Sequence, residues 1–164
     1  KLLKGNQLTR YYSIGFLLTL MLGLAVSIAD YQYASAYRDF ANGLFQYKTP
    51  SNKIWFSGHH GFAYYMEKNG YHMLPKNSDL LQKGDYIVKA RLPLPRPITD
   101  ELKERLSLVK TESIKSSYPI RVENPYAHAG FYTYGSGFLP YSFSNSNLED
   151  FDIYIVKNES QRIN

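Results

Sequence analysis

Between Tyr11 and Ala29 the chain reads Tyr-Tyr-Ser-Ile-Gly-Phe-Leu-Leu-Thr-Leu-Met-Leu-Gly-Leu-Ala-Val-Ser-Ile-Ala, without a charge and with only hydroxyls as polar groups. At ~1.5 Å per residue a helix of this length reaches ~28 Å, close to the roughly 30 Å hydrocarbon core of a bilayer. Core helices of soluble domains are shorter or show a polar stripe, whereas this stretch is apolar all round. It predicts a membrane-inserting helix. Lys1, Lys4 and Arg10 precede it and Asp30 comes after it, so the positive-inside rule places the N-terminal end in the cytoplasm and the residues after Asp30 on the extracytoplasmic side. Tyr11, Tyr12, Tyr31, Tyr33 and Tyr37 fall where aromatic belts form. Tyr33, Tyr37 and Phe40 keep helical spacing, and Asn42-Gly43 is a stop, so the helix is expected to run on to residue 43.

A secretory signal with Ala34-Ser35-Ala36 as its cleavage site is the rival reading, and it too exports the remainder of the chain. The apolar run exceeds the ~7–15 residues of a signal core, and a charged, tyrosine-rich stretch separates it from the Ala-x-Ala. The chain opens on lysine, which suggests a piece of a longer protein.

After the apolar stretch there is room for one domain with a single core. A net charge of +5 from scattered basic residues suits an anionic membrane surface or ligand; without a basic stripe it argues against nucleic acid. The absence of cysteine excludes a disulfide framework, a thiolate metal site and a cysteine nucleophile, and in an exported chain it points to a bacterial source. Sixteen tyrosines and nine phenylalanines suit packing near a membrane interface, sugar binding or an aromatic core.

The domain plan is a flank over 1–10, a transmembrane helix with its extension over 11–43, a linker over 44–52 holding Pro50, an extracytoplasmic domain over 53–157 and a polar tail over 158–164. Within the domain, Lys53–Ser57 reads as a strand, His60–Asn69 as a helix with Phe62, Tyr65 and Met66 on its apolar face, and Tyr71–Leu74 as a second strand. These form a βαβ unit with a parallel pair. Gly84–Ala90 is the clearest strand; Pro93, Pro95 and Pro97 then force an extended path, and Thr99 or Asp100 caps a short helix through Leu106. Leu108–Ile114, Pro119–Glu123 and Phe151–Val156 read as further strands. Asn124–Asn147 is long for a loop, which makes it functional or packed on the membrane-proximal parts. The predicted fold class is α/β: one N-terminal transmembrane helix, then a small domain with a mixed sheet.

Gly58-His59-His60-Gly61 joins a strand to a helix, so its backbone N–H groups are candidates for a phosphate contact, against the plainer reading of a tight turn. It is neither a Walker motif nor a dinucleotide fingerprint. His59, His60, His72 and His128 lack zincin spacing, and adjacent histidines do not readily share one tetrahedral ion, so no metal and no cofactor is expected. Ser57 and Ser136 lack a nucleophile elbow. Asp30 and Asp39 mark a membrane interface more readily than they act as a base. Trp55, Tyr64, Tyr65 and Tyr132 are candidates to stack on a sugar, against core or rim roles. No catalytic residue is assigned.

Three blocks carry a resemblance: Ala29–Ala34 with Tyr37-Arg38, Trp55–Phe62 with Tyr64–Glu67, and Gly130–Tyr132 with Leu139–Tyr141. Together they resemble the C-terminal part of bacterial polytopic glycosyltransferases of the type related to dolichyl-phosphate-mannose protein mannosyltransferases; His60 departs from a pattern in which relatives often hold Trp. The resemblance implies a cell-envelope enzyme that transfers a sugar from a polyprenyl-phosphate donor to a glycan or lipid acceptor at the outer face of the membrane. It also implies catalysis by an early external loop with no counterpart here, which leaves these residues an accessory domain. The alternative expectation is a stand-alone membrane-anchored module that binds a glycan or envelope component through its aromatics.

Overall fold

The structure is a computed structural model that describes residues 5–92 and 94–157. Lys1, Lys4, Pro93 and the 158–164 tail of the domain plan lie outside the described residues. The fold is mixed α/β with a long N-terminal apolar helix and a mixed sheet. Two units can be distinguished, residues 5–32 with 118–144 and residues 33–117 with 145–157.

Helix α1 (Gly5–Gly43) is continuous and ends at the expected glycine. Of its most apolar 18-residue window only 6% is buried, so this part has the length and composition of a membrane span and the exposure of one, unlike a core helix. The hydroxyls of Thr19 and Ser27 donate to the carbonyls of Gly15 and Gly23, four residues back, and so need no outside partner. From Tyr33 onward the same helix buries a stripe: Tyr33, Ala36, Tyr37, Phe40 and Ala41 are all buried, at the i, i+3, i+4, i+7, i+8 spacing of one helical face. A 3-10 turn over Leu44–Tyr47 continues the stripe with buried Leu44.

The larger unit is built on a five-stranded sheet of order β2-β1-β3-β9-β4, formed by β1 (Ile54–Ser57), β2 (His72–Met73), β3 (Tyr86–Ala90), β4 (Leu106–Ile114) and β9 (Glu149–Val156). The expected βαβ unit is present: α2 (His60–Lys68) joins β1 to β2, and Trp55 pairs in parallel with His72. β3 lies parallel on the other side of β1, with Trp55 opposite Ile87, and β9 runs antiparallel to both β3 and β4.

Alternation along the strands sends Phe56, Val88 and Ile153 to one face and Trp55, Ile87 and Tyr154 to the other. On the first face Phe40 stacks on Phe151 with ring centroids 3.6 Å apart, and Phe62 of α2 touches Phe40, Phe56 and Phe151. On the second face Trp55, Ile87 and Val156 pack with Leu74, Leu81, Ile98 and Leu102. Leu102 comes from α3 (Asp100–Glu104), which Thr99 caps by accepting the Leu102 N–H at 3.3 Å.

Several expected boundaries move. The helix after Thr99 stops at Glu104, because β4 already begins at Leu106 and pairs with Val156. β4 carries a register shift between Leu108 and Lys110. Pro119–Glu123 is not one strand. It divides into β5 (Ile120–Arg121), paired with β8 (Ser142–Phe143), and β6 (Glu123–Asn124), paired with β7 (Ala129–Gly130). The 124–147 stretch is thus short ladders and 3-10 turns; Asn124 accepts the N–H groups of Tyr126 and Ala127 to hold the first turn. Gly130 and Gly137 let this segment close on itself, since a Cβ on Gly137 would sit 2.0 Å from the His128 carbonyl oxygen and one on Gly130 2.1 Å from that of Thr133.

Candidate functional site

In an open α/β sheet, ligands bind outside the carboxyl ends of strands where successive crossovers leave in opposite directions. The larger unit has such a point. From β1 the chain turns to α2 on the Phe56 face, and from β3 it turns to α3 on the Trp55 face. The two exit loops, Ser57–Gly61 and Arg91–Thr99, are joined where the Ser57 hydroxyl donates to the Arg96 carbonyl at 3.1 Å. Each carries a non-glycine residue at positive φ, His60 at 56° and Leu94 at 46°. Such conformations cost about 1–3 kcal/mol each and cluster at functional sites. Beside them lies a cleft of about 560 Å³ lined by Leu74, Lys76, Asp79, Arg96 and Glu101 among others, and Arg96 donates to the Leu74 carbonyl at its edge. Its wall mixes both signs of charge.

At the same end of the sheet Glu149 is buried at the start of β9. One carboxylate oxygen accepts the N–H groups of Arg91 (3.0 Å), Leu92 (3.1 Å) and Asp150 (2.9 Å); the other accepts the Tyr37 hydroxyl at 2.9 Å. Burial pushes the Glu149 carboxyl up to about 7, against the opposing pull of the Tyr37 hydroxyl and the three backbone donors. Burial also raises the Tyr37 hydroxyl well above its ordinary value, with the charge of Glu149 adding to the effect and Tyr33 beside it in the same chain of hydroxyls. Next to this cradle Arg91 grips Asp152 through two contacts, 2.8 Å and 3.1 Å. Burial opposes ionisation of Asp152, but Arg91 and the Thr111 hydroxyl outweigh it and hold the carboxyl below its usual range. The cradle satisfies both oxygens of Glu149, so it positions loops and does not present a base to a substrate.

Of the residues singled out from sequence, Gly58 is buried, His59 is half-buried, and His60 and Gly61 are exposed at the start of α2. His59 sits at the N-cap without a side-chain cap bond, and the two imidazoles lie 6.4 Å apart between ring centroids. Gly61 abuts Tyr37, so the turn and the Glu149 cradle are neighbours. Trp55 is a core residue of the opposite face; its indole N–H donates to Asp85 at 2.8 Å and its ring meets His72. Tyr64 is exposed on α2 with its ring edge on Tyr65. Tyr132 belongs to the smaller unit, where it donates to Asp30. Among the described residues no three His, Cys, Asp or Glu side chains gather as a metal site.

Sequence reasoning passed over Glu149, Arg91 and Leu92. Their one visible sign was the acidic run Glu149-Asp150 opening a strand whose other residues are apolar or paired. No protein family, curated protein or solved structure matches this chain.

Proposed function

We propose that the chain is the C-terminal part of an integral membrane glycosyltransferase that transfers a sugar from a polyprenyl-phosphate donor, and that these residues form its accessory extracytoplasmic domain. The observation that carries the membrane part of this reading is the change of character along α1: exposed and apolar over the 18-residue window, then a buried stripe from Tyr33. A helix of that kind belongs to lipid over one length and to a folded domain over the next. The glycosyltransferase part rests on the resemblance of the aromatic and glycine blocks. Arg10 before the span and Asp30 after it favour an extracytoplasmic sheet.

The exit loops of β1 and β3 supply what an anionic carrier headgroup needs. The start of α2 offers backbone N–H groups without a side-chain cap, and His59, His60 and Arg96 stand on the flanking loops. In this reading the domain receives the phosphate end of the donor or steadies the acceptor, and the chemistry is done by membrane-domain carboxylates outside these residues.

The test uses the intact protein in its own membranes, supplied with polyprenyl-phosphate sugars and a lipid or glycan acceptor. Release of free polyprenyl phosphate with acceptor glycosylation is expected. Consumption of nucleotide sugars in their place, or turnover of no polyprenyl-phosphate sugar, overturns the assignment. His59→Ala with His60→Ala is expected to raise KM for the donor with kcat nearly unchanged; an unchanged KM removes the turn from the donor site.

A further inference from the structure

The smaller unit, residues 5–32 with 118–144, contains a surface that water does not suit. From Tyr118 to Ser144 the only formally charged residues are Arg121 and Glu123, although one residue in five of the whole chain (20%) is charged. Both are internal, each 2% exposed; Arg121 donates to the carbonyls of Tyr118 and Ile120, and Glu123 accepts the Ser136 hydroxyl. The outside of the segment therefore carries no Lys, Arg, Asp or Glu. In their place stand Phe138, 98% exposed, Tyr134, 89% exposed, and the exposed Phe131, Leu139 and Phe143.

Two hydroxyls fix this segment along α1. Tyr132 donates to Asp30, the first charge after the apolar run, and Tyr118 donates to the backbone carbonyl of Ala25 at 3.0 Å. Ala25 is five residues before Asp30, which along a helix is about 7–8 Å deeper. The headgroup layer on each side of a bilayer is about 5–8 Å thick. If Asp30 marks the water side of that layer, the Tyr118 hydroxyl reaches its acyl boundary, and the segment it anchors cannot stand clear of lipid.

We infer that residues 118–144 form a collar immersed in the headgroup layer around the exit of the membrane helix, with Phe131, Tyr134, Phe138, Leu139 and Phe143 against phospholipid. This inference rests on the proposal that α1 spans a bilayer. Its composition is that of an aromatic belt, with ring bodies for the acyl boundary and hydroxyls for the headgroups. Lipid is favoured over a protein partner because the segment is bonded to Ala25 within the apolar run and to Asp30 at its end, contacts within the unit that set its depth.

The test is site-directed spin labelling of the intact protein, without other cysteines, in nanodiscs of phosphatidylethanolamine and phosphatidylglycerol. Nitroxides are placed through Phe138→Cys, through Leu18→Cys as the span reference and through Lys103→Cys as the aqueous reference. Collision with oxygen relative to a water-soluble nickel chelate is expected to be severalfold higher at position 138 than at 103, and in the direction of position 18. Nickel access at 138 equal to that at 103, with 18 lipid-like, overturns the collar and leaves the span intact. A label at 138 screened from both reagents also overturns it, because protein then covers the surface. Nickel access at position 18 removes the span and the collar together.

Discussion

Tyr37 of the N-terminal helix donates its hydroxyl to the Glu149 carboxylate at 2.9 Å, across 112 positions of sequence. The same ring contacts Phe62 and Phe151, so a single side chain ties the helix to α2 and to the beginning of strand β9. Removing the hydroxyl with Tyr37→Phe keeps those ring contacts but leaves that buried carboxylate oxygen with only the longer bond from the Leu92 N–H, at 3.3 Å. A loss of about 1–3 kcal/mol is expected in denaturant unfolding of the detergent-solubilised protein. A variant as stable as wild type would show that the bond contributes nothing.

The pH dependence of this site has a definite sign. Glu149 titrates near 7 in the folded protein and near ~4.3 when unfolded. The folded state then holds the extra proton between those values, so the contribution of Glu149 to stability is greatest below about pH 4 and is lost as pH rises to about 7. Glu149→Gln keeps an acceptor for the backbone donors and abolishes this slope. It should flatten thermal stability between about pH 4.5 and 7.5, with a swing of at most about 3 kcal/mol removed. Asp152, held low by Arg91, loses its own contribution only under more acidic conditions and does not obscure the window.

Phe40 and Phe151 are stacked and fully enclosed, whereas Phe45, one turn beyond, is exposed. Phe40→Ala should cost about 3–5 kcal/mol through lost burial and the cavity it leaves. Phe45→Ala should stay within about 0.5 kcal/mol. Comparable melts for the two variants would place the helix extension off the sheet.

Asp85 accepts three donors at once, the N–H groups of Lys53 and Gln82 and the indole of Trp55. Asp85→Ala leaves all three without their acceptor, the Trp55 indole among them in the interior, with an expected loss of about 2–5 kcal/mol. Trp55 is the only tryptophan of these 164 residues, so its emission is the one tryptophan signal from this stretch of chain. A red shift is expected for the folded variant, and an unchanged spectrum with unchanged stability would contradict the bonding described.

In the smaller unit, Gly137→Ala forces a Cβ onto the His128 backbone at a position of φ 140°, and Gly135→Ala meets only the Thr133 hydroxyl at 3.4 Å. Proteolysis within residues 118–144 should rise severalfold for the first variant and stay near wild type for the second. Equal cleavage would mean that the tight closure at Gly137 does not hold the segment.

The parts of this molecule with a strong period were legible from sequence. The apolar run and the Tyr33, Tyr37, Phe40 spacing identify α1 because one residue type recurs on one helical face, and the βαβ unit arises from β-prone, helical and β-prone stretches in succession. Residues 118–144 were not legible, because two-residue ladders have no period and are held by turn chemistry such as Asn124 over Tyr126. Trp55 illustrates the limit for single side chains. A lone tryptophan suits a core more often than a sugar platform, and its register with Ile87 and its bond to Asp85 place it in the core. Glu149 stayed hidden because the groups that hold it come from Tyr37 and from Arg91-Leu92, far away in sequence.

The register shift between Leu108 and Lys110 falls on β4, the last strand in the sheet order, on whose outer side no further strand pairs among the described residues. A straight, apolar border of that length invites pairing with any other extended chain. The irregularity bends it, and the Lys110–Glu112 ion pair puts charge along it. An extended chain that meets β4 therefore finds a bent and charged border, which disfavours the continued strand addition that builds fibres.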